Sequence, residues 1–213
     1  MLRLSAFVLL SVLMIGHAVA GGKPVAGRFD YYVLSLGWAP SWCSLTGNAR
    51  GAAECRPARK AGFLLHGLWP QFNRGWPSFC NTARRAPNRR ETAEMADLMG
   101  SSGAAWHQWD KHGRCSGLSG SAYFRTARTA YERINRPAIL RQILRPITLP
   151  APLIKTAFLK SNPALGANMI AVTCKQGYFQ EVRICLNKDL SPRQCGVDVL
   201  RGCQQRVTFP PLR

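Results

Sequence analysis

Beyond the first twenty residues, apolar positions form short dense runs near both ends of the chain and helix-spaced stripes between them. Residues 30–36 (Asp-Tyr-Tyr-Val-Leu-Ser-Leu) are rich in strand formers and predict a buried strand. Residues 62–66 predict a second, ended by Gly67 and Pro70. Between them, 38–59 reads as a loop, and 75–90 reads as a basic surface excursion in which Arg84-Arg85 and Arg89-Arg90 bracket Pro87. Helical spacing then sets in over 91–99, over 104–112 (closed by Gly113) and over 121–134, where Phe124, Ala127, Tyr131 and Ile134 share a face. Shorter helices are expected at 138–144 and 155–159. Strands return at 169–174, 179–186 and 206–209, the first two joined around Lys175-Gln176-Gly177. This order predicts an α+β fold, an antiparallel sheet flanked by several helices. No repeat or long linker divides the chain, so 21–213 is expected to be one domain.

The first twenty residues read as an address. Arg3, an apolar stretch from Leu4 to Ile15 and the small-residue run Ala18-Val19-Ala20 have the form of a secretory signal cleaved after Ala20. The apolar stretch is short for a membrane span, so an uncleaved anchor is the weaker reading and no stable membrane insertion is expected after cleavage. The expected destination is the periplasm or the medium. Composition adds a field: 29 Lys and Arg against 10 Asp and Glu give a formal charge of +19, which attracts polyanions such as nucleic acid or an anionic membrane. With 46% hydrophobic residues the chain has material for a packed core.

All eight cysteines lie beyond the signal, and an even number in an exported chain reads as four disulfides. No Cys-x-x-Cys pair argues for metal, and spacing leaves the connectivity open among 105 pairings. Three histidines remain in the mature chain, all in two segments: Phe63-Leu-Leu-His66-Gly-Leu-Trp69-Pro70 and Trp106-His107-Gln108-Trp109-Asp110-Lys111-His112-Gly-Arg-Cys115. On a helix, Gln108, Lys111 and His112 share a face, with His107 on its shoulder. Two imidazoles and a fixed ammonium are the parts needed to cleave RNA without a metal. One ring takes the ribose 2′-hydroxyl proton, the other protonates the departing 5′-oxygen, and Lys111 stabilises charge on the phosphoryl oxygens. Against this, His66 alone reads as an ordinary satisfied histidine, and Trp69, Trp106 and Trp109 as core. The i, i+5 spacing of His107 and His112 misses the geometry of a zinc helix, and no cofactor or metal is expected.

Together the segments resemble the ribonuclease T2 family of secreted endoribonucleases. Its signatures are His-Gly-Leu-Trp-Pro, here His66 to Pro70, and His-Glu-Trp-x-Lys-His-Gly-x-Cys, here His107 to Cys115. The likeness extends to the strand before Trp38, to Ile170-Ala-Val-Thr-Cys174 and Val182-Arg-Ile-Cys185, and to the closing Val207 to Pro211. The resemblance implies that His66 and His112 are the acid–base pair, with His112 as base and His66 as acid in the first step. It further implies that Lys111 stabilises the transition state, that His107 helps hold phosphate and that Trp69 stacks a base. It also implies the pairings Cys43–Cys55, Cys80–Cys115, Cys174–Cys203 and Cys185–Cys195. One departure stands out: Gln108 occupies the usual glutamate position. An amide can still donate to a phosphoryl oxygen but carries no charge, and losing a carboxylate there favours neutral His112. Asp110 falls on another helical face and is not its substitute.

The function expected is thus metal-independent RNA cleavage through a 2′,3′-cyclic phosphate, with low base specificity, by a protein expected to be monomeric. DNA, lacking the 2′-hydroxyl, should bind and remain intact. The Arg84 to Arg90 cluster would either gather RNA or serve as a solvated loop. The rival readings are a catalytically weakened cationic RNA-binding protein, with Gln108 as the mark of decay, and a metal-dependent phosphodiesterase.

Overall fold

The computed structural model describes residues 24–212; the expected signal segment lies outside them. Six strands form one sheet: β1 (Tyr31–Trp38), β2 (Phe63–Gln71), β3 (Ile147–Pro150), β4 (Ile170–Lys175), β5 (Tyr178–Leu186) and β6 (Arg206–Phe209). The order is β2-β1-β5-β6-β3, with β4 also paired to β5. The sheet is mixed rather than wholly antiparallel, because β5 meets β6 in a parallel bridge at Tyr178 and Thr208. β4 and β5 form a hairpin through Gln176 and Gly177, both at positive φ, as a two-residue turn of the primed type requires.

β2 does not stop at Gly67 and Pro70 as their breaker character suggests. It runs on to Gln71, and Pro70 pairs with Tyr32. β2 lies at the end of the sheet order, where a missing N–H can face away from the ladder. Its register against β1 shifts between Ser35 and Leu36: Gly67 opposes Ser35, Leu65 opposes Leu36, and His66 between them has no partner. His66 is therefore a bulge residue, re-aimed by the extra residue in its strand.

The 91–99 helix divides into α2 (Arg89–Glu94), opened by a capping box between Asn88 and Glu91, and α3 (Ala96–Met99), with Met95 at the break. The site helix α4 (Ser102–Lys111) starts on a Ser101 cap, ends at His112 and tightens into a 3₁₀ turn, Gly113–Ser116. Next comes α5 (Gly120–Arg133). The next helix, α6 (Ala138–Arg141), stops short of Leu144, and α7 (Ala151–Ser161) is longer than 155–159 because Pro152 supplies a pre-set first turn. The 38–59 segment is no plain loop. It folds as a short helix, α1 (Ala39–Trp42), a π turn (Cys43–Gly47) and two 3₁₀ turns (Ala53–Cys55 and Pro57–Arg59).

The large core lies on one sheet face, where Leu34, Leu36, Leu68, Val182 and Ile184 meet Trp109, Tyr123, Ile154 and Phe158. A smaller cluster on the opposite face gathers Tyr31, Val33, Trp69 and Cys185. Four disulfides are closed: Cys43–Cys55, Cys80–Cys115, Cys174–Cys203 and Cys185–Cys195. They constrain the unfolded chain more than they add contacts to the folded one. Cys80–Cys115 ties the loop after β2 to the turn just beyond His112.

Candidate active site

The site assembles on the face of the smaller cluster. His66 and Trp69 come from β2, and Gln108, Lys111 and His112 come from α4 and its end. The Trp69 ring stands between the two imidazoles, its centroid 5.1 Å from His66, edge-on, and 5.1 Å from His112, stacked. Trp69 Nε1 donates to Gln108 Oε1 at 2.8 Å, locking strand to helix. Gly67 makes this bond possible. A Cβ there would lie 2.1 Å from Trp69 Nε1 and 2.4 Å from Gln108 Oε1, in the space the bond occupies. Gln108 is buried and its oxygen engaged, so the amide holds the site together, and a glutamate could accept the same bond.

The histidines sit in unlike surroundings. His112 is 7% exposed, and its Nδ1 has no hydrogen-bond partner among the described residues. Burial, reinforced by the charges of Lys111, His66 and His107, pushes its pKa down from 6.5 to about 3. That is the direction the missing carboxylate at 108 suggests, with burial as the largest cause. His112 is thus a neutral imidazole at any ordinary pH, able to accept a proton. The same charges place Lys111, His66 and His107 within electrostatic reach of one ring.

His66, with a side chain 47% exposed, contacts Glu181 Oε1 through Nδ1 at 2.6 Å. A carboxylate that only accepts requires Nδ1 to carry the proton, which leaves Nε2 facing outward as the exchangeable position. Glu181 is 3% exposed, and its Oε2 accepts from Arg183 Nε at 2.9 Å. Burial would raise its pKa. The hydrogen bond and charge of His66, together with Arg183, outweigh burial and hold it at about 2. Neither Glu181 nor Arg183 was singled out from the sequence. The available signal was a Glu and an Arg two apart, hence on one face, inside an otherwise apolar strand.

Trp69 is 9% exposed, and the Arg183 guanidinium lies 5.4 Å from its ring centre. His112 is stacked against the same ring, so Trp69 has two close neighbours besides His66. Trp109 is core against Tyr123, whereas Trp106 and His107 are exposed on α4. Asp110 pairs with Arg114 and takes no part. A cleft of about 410 Å³ opens beside His66, lined also by His107, Gln108, Glu181, Trp42 and Arg50. Among the described residues, no three His, Cys, Asp or Glu side chains gather closely enough to hold a metal ion. In the basic excursion Arg85 and Arg90 are engaged by Glu91 and Glu94, which lowers the local field of that cluster.

Known proteins resemble this chain in sequence and in fold. The family model described as the Ribonuclease T2 family matches residues 29–195. A ribonuclease of Aeromonas hydrophila is 34% identical over 170 residues, covering 78% of this chain and 76% of that protein. Ribonuclease I of Escherichia coli is 26% identical, covering 76% and 77%. Among solved structures, an RNase-related protein from Calystegia sepium superposes with a TM-score of 0.67 at 23% identity, covering 85% of this chain and 97% of that one. RNase NT in complex with 5′-AMP superposes at 0.61 with 24% identity, covering 85% and 98%. With both signature segments inside the matched range and brought to one site, the chain belongs to the ribonuclease T2 family.

Proposed function

We propose that this protein is an exported, metal-independent endoribonuclease that cleaves RNA by transphosphorylation. The observation that carries the reading is the pair of unlike imidazoles flanking Trp69, one buried and neutral, the other exposed and backed by a carboxylate. His112 takes the proton of the ribose 2′-hydroxyl, whose oxygen attacks the adjacent phosphorus. His66, charged at the start, passes its Nε2 proton to the departing 5′-oxygen. Lys111 and His107 bear on the phosphoryl oxygens, where negative charge grows. The products are a 2′,3′-cyclic phosphate and a 5′-hydroxyl. Hydrolysis of the cyclic ester runs the same transfers in reverse, with water in place of the 5′-alcohol.

The cleft beside His66 has room for a nucleoside, and the cationic surface gathers RNA with little regard to sequence. Four disulfides suit an oxidising compartment, in keeping with the signal read in residues 1–20. The test is end-group analysis of RNA digested in the presence of EDTA. Cyclic and 3′-phosphate ends with 5′-hydroxyls are expected, and DNA should remain intact. RNA that is bound but uncut by wild type, His66→Ala and His112→Ala alike would favour a binding protein instead. Activity lost in EDTA would favour a metal-dependent enzyme.

A further inference from the structure

We infer that Glu181 is the positioning carboxylate of this site: it acts through His66, across the gap left by Gly37, to present the proton that the leaving group receives. The inference rests on the proposed reaction and concerns its second proton transfer.

The geometry is a three-strand relay. β1 runs between β2 and β5, and Gly37 pairs with Glu181 on one side and with Leu64 on the other. A Cβ at position 37 would stand 3.8 Å from the His66 Cβ, and Gly37 is the cross-strand partner of Glu181, so side-chain bulk at this position is expected to crowd the contact. With glycine there, His66, on the bulge of the end strand, and Glu181, two strands away, meet over the middle strand at 2.6 Å. Arg183, two residues along the same strand, holds the second carboxylate oxygen. Both oxygens therefore have a partner, and the ion is buried but compensated.

This arrangement does two things for His66. The carboxylate fixes the ring with its proton on Nδ1, so that Nε2 carries the transferable one. It also keeps an ionised partner beside the imidazolium that must exist before the leaving group departs. During the step the Nε2 proton moves to the 5′-oxygen, the P–O5′ bond breaks, and His66 ends neutral with Nδ1–H still bonded to Glu181, which is ionised throughout. The family glutamate position on α4 is an amide here, so within the described site Glu181 is the carboxylate in contact with a histidine.

The test separates a role through the leaving group from a merely structural one. Two substrates are compared: the dinucleotide UpA, whose alkoxide leaving group needs a proton, and uridine 3′-(4-nitrophenyl phosphate), whose phenolate does not. Glu181→Leu should lower kcat on UpA by about 100-fold, the scale of a general acid's contribution, with KM changed by less than about 2-fold. On the nitrophenyl ester the loss should stay under about 3-fold. Glu181→Gln, whose amide oxygen still accepts from Nδ1, should recover part of the UpA activity. Combining Glu181→Leu with His66→Ala should cost no more than His66→Ala alone. Equal losses on both substrates, no loss on either, or additive losses in the double variant would each overturn the inference. If wild type forms no cyclic phosphate from UpA, the proposed reaction itself fails, and this inference fails with it.

Discussion

The two ends of the site solve opposite problems. His112 terminates a helix, is buried, stacks on an indole and is ringed by positive charge, so its surroundings expel a proton. His66 bulges from a strand, stands half in water and is backed by a carboxylate that accepts from its Nδ1. On the proposed reaction, burial keeps His112 neutral and so free to accept a proton, while the carboxylate contact holds the proton of His66 on Nδ1 and leaves Nε2 free to donate. The identity of the residue settles neither role, which is why the two signatures by themselves leave the assignment to resemblance.

Removing either ring should have the largest effect. His112→Ala and His66→Ala should each lower kcat on RNA by about 10²–10⁴-fold, measured at saturating substrate. The two should part on the nitrophenyl ester, where only the His112 variant stays impaired.

Gly67→Ala comes next. Its methyl would enter the space of the Trp69–Gln108 bond, a backbone-borne intrusion that swings the indole away from both rings. A loss of about 1–3 kcal/mol of stability is expected from overpacking, together with a fall in activity, readable by chemical denaturation and initial rates.

A smaller effect concerns acid stability. His112 has a folded pKa of about 3 against an ordinary 6.5, so between these values the unfolded chain binds a proton that the folded one refuses. Stability should therefore fall as pH drops below 6.5, by about 1.4 kcal/mol per pH unit from this group. Glu181, held at about 2 against 4.5, adds a loss of the same sign only below 4.5. Denaturant melts of His112→Phe should thus show a flatter slope from pH 6.5 down to about 3, with the part that Glu181 adds below 4.5 retained. The smallest effect is expected from Gln108→Glu. The bond to Trp69 survives the change, so rates should move by less than about 3-fold.

Much of this was legible in the chain because the chemistry is contiguous. His66 to Trp69 and His107 to His112 are short segments, and once one is a strand and the other a helix their faces follow from local periodicity. Glu181 and Arg183 were not legible in the same way. Their meeting with His66 depends on the strand order β2-β1-β5 and on the register that sets Glu181 opposite Gly37, both long-range facts. The continuation of β2 through Gly67 and Pro70 escaped for a related reason. Local rules score both as breakers, yet an end strand tolerates the proline and close packing requires the glycine. β3 (Ile147–Pro150) went unseen because its four residues become a strand only through pairing with β6.

Gly37 gives the molecule an unusual point of vulnerability. It bears no side chain, yet on the proposed reaction the contact between His66 and Glu181 crosses the strand at its position. Alanine there would meet the Cβ of His66 at ordinary contact distance and pass almost unnoticed, while a leucine is expected to crowd the opening from a residue no inspection of catalytic groups would flag. Fitness at that position is set by what is missing.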